Sequence, residues 1–250
     1  MPCITLTFCE CSENHVGMEK MGIKSNTGFN SNHLDCVQNY FSGKEIERFN
    51  LNDLLSESNI EYNGEKAELL IIRNAVDNHQ ELFNNLLNLE WDRKYYDTRR
   101  QKVLNKHARA NLCFSNNSQE PDYENKKGRV VSYNTIPLLD NLRNLVNQCI
   151  NDTDQLECEG NLYDNVNKNG IGWHGDGERT KVIGVRLGDT MPLCFQWFYK
   201  GNSVGNITIK NLNSGDLYVM SSKTVGTDWK RKNIYTLRHS AGSSKYTNPK

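Results

Sequence analysis

Residues 182–199 of the 250-residue chain read VIGVRLGDTMPLCFQWFY. The two apolar runs in this stretch are rich in β-branched and aromatic residues, and the Gly188-Asp189 pair between them is a turn signal, so it predicts two strands joined by a turn. Similar runs follow at residues 207–209, 216–220 and 234–238, with turn signals at Gly201-Asn202 and Ser214-Gly215. Many short strands at near-regular spacing favour an antiparallel sandwich or barrel.

The sequence before these strands predicts helices as well as strands. Residues 4–8 alternate in polarity and residues 69–72 form a short apolar run, and both patterns predict strands. Asp77 and Gln80 have the spacing of a helix capping box, and a second helix is predicted to begin at Pro137. The apolar stripes of the two helices are Leu82, Phe83, Leu86 and Leu87 in the first, and Leu138, Leu139, Leu142, Leu145, Val146 and Cys149 in the second. Helices followed by a series of strands predict an α+β fold.

The chain is expected to divide near residue 66. After the first strand, the segment is rich in Gly, Asn and Ser and ends near Asn63-Gly64, which is typical of loops. We therefore interpret residues 1–66 as an N-terminal extension of unknown role and residues 67–250 as the main domain.

Composition excludes few classes of protein but sets expectations about partners and location. The 30 Lys and Arg residues balance the 30 Asp and Glu residues, so the net charge of zero lacks the footprint of a strong nucleic-acid binder. A local basic run could still contact phosphate: Arg93, Lys94, Arg99, Arg100, Lys102 and Lys106. No signal peptide or membrane helix is evident, and the eight cysteines are scattered, which favours reduced thiols in an intracellular protein of the cytoplasm or nucleus.

His174 and Asp176 are the strongest candidates for chemistry. On an extended strand, residues two apart point to the same side, so one imidazole and one carboxylate would face the same point. With a second histidine from a distant strand, they would complete a two-histidine, one-carboxylate facial triad for iron(II). That triad leaves positions open for a bidentate cosubstrate and dioxygen.

The residues around this pair occur in the order of a known family. They are Asn161 and Tyr163, then Gly172 to Asp176, Glu178, Leu187-Gly188, Gly215-Asp216-Leu217, and finally Thr236 and Arg238. With this order, roughly residues 67–241 resemble the AlkB-like Fe(II)/2-oxoglutarate-dependent oxygenases.

The resemblance implies a double-stranded β-helix core with flanking N-terminal helices. It also implies that His174 and Asp176 bind Fe(II), that Asn161 and Tyr163 bind 2-oxoglutarate, and that Arg238 holds a carboxylate of this cosubstrate through a bidentate pair. In this family, oxidative decarboxylation of 2-oxoglutarate drives hydroxylation of a C–H bond, and hydroxylated N-methyl groups leave as formaldehyde.

The chain departs from the family pattern where the second iron histidine usually lies. That stretch here contains residues 228–231, Asp-Trp-Lys-Arg, and Arg231 cannot bind iron because its guanidinium stays protonated. The terminal strand of the family also begins with an arginine at a position where this chain has Lys232.

Two interpretations of the third ligand remain open. In the first, His239 binds the metal, since it is the only histidine after Asp176. Arg238 then points to the opposite side of the strand, and Lys245 or Lys250 becomes the partner of the cosubstrate carboxylate. In the second, Arg238 keeps its family role. The iron then has only two protein ligands, unless His107 substitutes as the third, or the site is degenerate.

Residues 111–124 correspond to the part of the family that forms a lid over the substrate base. Phe114 and Tyr123 are predicted to stack on a base, and Glu178 is assigned to the substrate site as well. The sequence thus predicts a dioxygenase that hydroxylates or demethylates a nucleic-acid base. The alternatives are the same chemistry on a protein side chain or small metabolite, which the neutral net charge favours, or a binding module without catalysis, which Arg231 suggests.

Overall fold

The computed structural model describes residues 1–152 and 154–248. Within these ranges, eight strands form a larger sheet. Their order across it is β4 (Ile46–Asn50), β5 (Glu68–Ile72), β15 (Leu217–Met220), β12 (Val182–Gly188), β1 (Cys3–Cys9), β10 (Glu157–Tyr163), β8 (Ala110–Ser115) and β9 (Val130–Ser132). Of the strand pairs described in it, that between β8 and β9 is parallel and the others are antiparallel.

A smaller antiparallel sheet contains four of the described strands. Their order is β11 (Gly170–His174), β16 (Thr236–Gly242), β13 (Met191–Tyr199) and β14 (Asn202–Leu212). Two separate hairpins consist of β2 (Cys11–Glu13) with β3 (Lys20–Gly22), and of β6 (Lys94–Asp97) with β7 (Lys102–Asn105).

Helices cover one face of the larger sheet. The described helices are α1 (Ser31–Tyr40), α2 (Asp53–Ser56), α3 (His79–Leu87), α4 (Pro137–Ile150), α5 (Ser222–Val225) and α6 (Ser244–Thr247). Alternate side chains of β1, Ile4, Leu6 and Phe8, are fully buried in one apolar cluster with residues of α1, α3 and α4. This burial stabilises the layered arrangement, since each large apolar side chain removed from water contributes about 1.5–3 kcal/mol.

The other face of the larger sheet packs against the smaller sheet. Leu69 and Ile71 of β5 belong to a second apolar cluster together with Phe195, Trp197 and Leu237 of the smaller sheet. Beside this cluster the two sheets enclose a cavity of about 1180 Å³. The sheets therefore form two packed layers with a cavity between them, and helices cover the outside of one layer.

Residues 1–66 are part of this architecture and do not form an extension. β1 lies between β10 and β12, and Thr5 faces both Asn161 and Arg186 in the register of those pairs. β4 adds an edge strand next to β5, and the carbonyl of Leu51 accepts a hydrogen bond from the Trp197 indole at 2.7 Å. The sequence boundary near residue 66 missed this because the pairing of β1 depends on strands far along the chain.

The α+β prediction is confirmed at the level of class, although strands also occur in the first half of the chain. The predicted strands at 4–8, 69–72, 182–187 and 193–199 and the helix from Pro137 are present, and the later runs form β14, β15 and β16 with shifted ends. The capping-box prediction is wrong, because α3 begins at His79 and its N-cap Asn78 makes no side-chain capping bond. No helix of the described ranges combines the length and apolar character that a membrane crossing requires.

Candidate metal centre

His174, Asp176 and His239 converge at one end of the cavity. A ligand atom of each lies within 4.8 Å of those of the other two. The Oδ1 atom of Asp176 is 3.6 Å from Nε2 of His174 and 3.8 Å from Nε2 of His239. The two imidazoles meet edge to face, with ring centroids 4.4 Å apart. Two imidazoles and a carboxylate at this spacing form a donor set that fits a divalent transition metal.

Strand pairing and a tight turn bring the three residues together. His174 and His239 are direct partners in the register between β11 and β16. β11 ends at His174, so Asp176 lies just beyond the strand, and its N–H donates to the carbonyl of Val225 at 3.0 Å. Gly175 permits this approach, because a Cβ atom there would collide with the carbonyl of Gly226.

Both histidines are held in the neutral form that binds metals. Nδ1 of His174 lies 2.7 Å from the carbonyl oxygen of Gly172, which can only accept, so Nδ1 carries the proton and Nε2 presents its lone pair to the cluster. Burial lowers the pKa of His174 to about 4, and it also lowers the pKa of His239 well below its usual value, with His174 and Arg179 adding to the effect. Nδ1 of His239 is buried and has no hydrogen-bond partner among the described residues.

Asp176 lies in a cluster of charged groups that Arg179 links together. Burial raises the pKa of Asp176 to about 7, and the positive charge of Arg179 opposes this rise. Nη2 of Arg179 donates to Glu159 and to Glu178, each at 2.7 Å, and its Nε is 3.9 Å from Asp176 Oδ2. A bound cation beside Asp176 would favour its charged form, as Arg179 does.

All four predicted cosubstrate residues line the cavity, and Asn161 and Tyr163 do so from β10. Asn161 Oδ1 accepts hydrogen bonds from Arg109 Nε at 2.7 Å and from Asn111 Nδ2 at 2.6 Å. Tyr163, two residues along β10, is buried on the same face of the sheet. The structure thus brings the Asn-x-Tyr pair into the same cavity as the histidine–aspartate cluster.

Arg238 and Lys245 lie at the rim of the cavity. Arg238 is on the opposite face of β16 from His239, because neighbouring residues of a strand alternate, and its guanidinium carbon is 4.0 Å from the ring centroid of Phe198. Lys245 is exposed in α6 at the rim of the cavity. Lys250 lies outside the described residues. The expected pairing of Arg238 with a cosubstrate carboxylate stays a prediction.

The predicted substrate residues and lid also need correction. Phe114 is fully buried on the face of β8 that contacts the helices, so it cannot stack on a base. Tyr123 donates its hydroxyl to Asp92 at 2.7 Å and does not line the cavity. Glu178 does line it, paired with Arg179. The predicted lid segment begins with β8, a strand of the larger sheet, because its apolar residues fit between β10 and β9.

Other segments cover the mouth of the cavity. Val16, Gly17, Met18 and Lys20 line it, and they precede or begin β3. This segment rests on the β6–β7 hairpin, where the His15 ring stacks on Tyr95 with centroids 3.7 Å apart. The β6–β7 hairpin contains Lys94, Arg99, Arg100 and Lys102, which are most of the local basic run noted in the sequence.

The sequence analysis missed several polar residues on the cavity face, namely Thr5, Thr7, Arg109, Glu159, Arg179, Arg186 and Tyr218. One signal was available: Arg186 is a lone charged residue in the apolar run of β12. Such a residue is rarely buried without a specific partner.

The uncharacterized protein R156 of Acanthamoeba polyphaga mimivirus is 47% identical over 248 residues, which cover 97% of this chain and 96% of that protein. The chain belongs to the family of R156. No model of a known protein family matches the sequence.

Proposed function

We propose that the chain is an Fe(II)- and 2-oxoglutarate-dependent dioxygenase. The observation that carries the proposal is the convergence of His174, Asp176 and His239, with ligand atoms within 4.8 Å of one another. These residues fit iron(II): the donors are two neutral imidazoles and a hard carboxylate, with no thiolate among them. In this proposal His239 supplies the second imidazole that is absent near Arg231, which would account for the departure from the family pattern.

The strand order supports a double-stranded β-helix. From β10 to β13 the chain alternates between the sheets, and β14, β15 and β16 continue in the smaller, the larger and the smaller sheet. Two facing four-stranded layers result, β10-β1-β12-β15 and β11-β16-β13-β14, as in a jelly-roll-like fold. In this interpretation a strand after β16 would normally lie between β10 and β12. Here β1, from the beginning of the sequence, takes that place.

The residues of the chain have defined tasks in this proposal. Iron(II) and 2-oxoglutarate would supply the oxidation of a C–H bond by dioxygen, with release of succinate and carbon dioxide. His174, Asp176 and His239 would hold the metal on one side and leave its other side open to the cavity. Asn161 and Tyr163 would orient the cosubstrate, and the Glu159–Arg179–Glu178 network would hold Asp176 in position.

A nucleic-acid base is the substrate class we favour. Aromatic rings occupy the rim of the cavity, with Trp173 and Phe198 centroids 6.1 Å apart and Trp229 nearby. Stacking of a base on such rings contributes about 1–3 kcal/mol. In this proposal the rim aromatics take the stacking role first given to Phe114 and Tyr123, and Lys20, Lys230 and Lys245 at the same rim contact phosphate.

The proposal is tested with purified protein loaded anaerobically with Fe(II) and 2-oxoglutarate and then exposed to air. We expect release of succinate by the wild type, stimulated by an N-methylated oligonucleotide that also yields formaldehyde. His239→Ala should abolish both products, whereas His107→Ala, which removes a histidine outside the cluster, should retain them. Full turnover by His239→Ala would reject the third ligand. Succinate without oligonucleotide stimulation would favour a protein or metabolite substrate, and no succinate at all would favour a binding module.

A further inference from the structure

Arg186 is a buried arginine that faces the cavity from the middle of the larger sheet. It is 1% exposed, and its Nη1 donates to the hydroxyl of Thr5, its direct partner on β1. A second contact joins Nη1 to the Cys3 sulfur at 3.6 Å. Its Nε is buried and has no hydrogen-bond partner in the described part of the chain.

In the described part of the chain, no carboxylate lies within salt-bridge distance of Arg186. Its neighbours are the thiol of Cys3 and the phenols of Tyr163 and Tyr218. Burial raises the pKa of all three groups, that of Tyr218 to about 12, so they remain neutral near pH 7. Neutral hydroxyl groups can donate hydrogen bonds to an anion, but they cannot compensate a buried positive charge.

Two other buried arginines contrast with Arg186. Arg179, just before β12, is 2.7 Å from Glu159, and Arg143, in α4, is 3.7 Å from Glu157. An unpaired buried charge is strongly unfavourable, and Arg186 lines the cavity, where a ligand could reach it. Arg186 therefore has the properties of an anion-binding group whose partner comes from outside the chain.

The position of Arg186 relates it to the candidate metal centre. Asn161, Thr5 and Arg186 form one row across β10, β1 and β12 in register, on the face that lines the cavity. Tyr218 lies over Gly184 and is close enough to both Arg186 and Asp176 for each to affect its ionisation. The guanidinium and the metal cluster thus line one cavity, and Tyr218 is near both.

We propose that Arg186 binds the distal carboxylate of the 2-oxo dicarboxylic acid and so makes the site select a dicarboxylate over a monocarboxylate. The hydroxyls of Thr5 and Tyr163 complete this subsite, and Arg238 has no part in it. The guanidinium fork suits a carboxylate because it can form two parallel hydrogen bonds. This inference rests on the proposed function, since it takes the 2-oxo end of the same molecule to be at the metal.

The experiment compares two 2-oxo acids on protein loaded with Mn(II), which binds without turnover. Calorimetry gives the dissociation constants of 2-oxoglutarate and of 2-oxobutanoate, which lacks the distal carboxylate. In Arg186→Met we expect 2-oxoglutarate to bind about 10- to 100-fold more weakly, as for the loss of hydrogen bonds to a charged group, while 2-oxobutanoate binds as in the wild type. Arg238→Met is the matched control and should keep the wild-type preference.

Several outcomes would overturn the assignment. They are unchanged 2-oxoglutarate binding in Arg186→Met, an equal loss for both acids in that folded variant, or loss of the preference in Arg238→Met. If Arg186→Met does not fold, Arg186→Lys keeps the charge without the fork, and it should weaken 2-oxoglutarate more than 2-oxobutanoate; an equal factor for both acids rejects the assignment. A wild type that binds Mn(II) but neither acid rejects the proposed function itself, whereas the other results reject the role of Arg186 alone.

Discussion

The two faces of the larger sheet come from the same strands but differ in what they hold. On β1, Ile4, Leu6 and Phe8 point to the helices and are fully buried among apolar side chains. Thr5 and Thr7 of the same strand point to the cavity, where Thr5 contacts Arg186. The helix face obtains its stability from close packing, while the cavity face leaves Arg186 Nε without a hydrogen-bond partner among the described residues. Alternation along one strand therefore separates the residues that hold the fold from those available for binding.

The largest effect on stability is expected from the helix face. Phe8→Ala removes a fully buried ring between the sheet and the helices, and such truncations cost about 3–5 kcal/mol. We expect the free energy of unfolding in urea to fall by that amount. A loss below about 1 kcal/mol would show that the helix layer is loosely packed and that the contrast between the two faces is wrong.

The next effect concerns the turn that carries Asp176. Gly175→Ala places a methyl group against the carbonyl of Gly226, so the turn must move, at a cost of about 1–3 kcal/mol. We expect this shift to weaken Mn(II) binding at least about 10-fold, as the loss of supporting contacts does at metal sites. Gly177→Ala is the matched control, because a Cβ there meets no atom within 4 Å. Equal metal affinities in the two variants would contradict the role of Gly175.

A smaller and pH-dependent effect is expected at the cover of the cavity. Burial and, to a smaller extent, the positive charges of Lys106 and Arg109 lower the pKa of His15 to about 4, while Asp97 opposes them. Because the folded pKa lies below the ordinary value of 6.5, the unfolded chain binds the proton first, and stability falls as the pH drops from 6.5 to about 4. His15→Gln should remove up to about 2 kcal/mol of this decline, measured by urea unfolding at both pH values. An identical pH dependence in the variant would refute the assignment.

The smallest effect is expected on the cavity face. Thr7→Ala changes the same strand as Phe8→Ala, one residue earlier, but it removes a hydroxyl that faces the open cavity. We expect the free energy of unfolding to change by less than about 0.5 kcal/mol, as for surface substitutions. A loss comparable with that of Phe8→Ala would mean that the two sheets pack tightly at this point.

Local patterns in the sequence predicted most strands and the helix from Pro137, because alternation and apolar stripes reflect nearest neighbours. The spacing of His174 and Asp176 suggested a shared direction, and the position of His239 as the last histidine suggested the third partner; the three side chains lie together, and their binding of iron stays a prediction. Arg186 could not be assigned in the same way. Its burial depends on β1 pairing beside β12, and no local pattern specifies pairing between such distant segments.

Phe114 is a residue whose face of the strand could not be predicted from the local sequence. An aromatic residue just before the main series of strands suited a lid, but β8 joins the larger sheet beside β10 and turns Phe114 toward the helices. The pairing register with the neighbouring strands decides which face of the sheet a residue occupies. A shift of the register by one residue moves its side chain to the other face.

The central position of β1 has a consequence for how the protein forms during synthesis. Cys3–Cys9 leaves the ribosome before both of its partners, Glu157–Tyr163 and Val182–Gly188. Until those segments have been made, β1 is an apolar strand with both edges unpaired. Chaperones and other nascent chains can bind to it during this time. Contacts between such distant segments slow folding, because a long loop must close before they can form. The strand that supplies Thr5 to the cavity can thus pair on both sides only after Gly188 has been made, so the binding site is completed only after most of the chain has been translated.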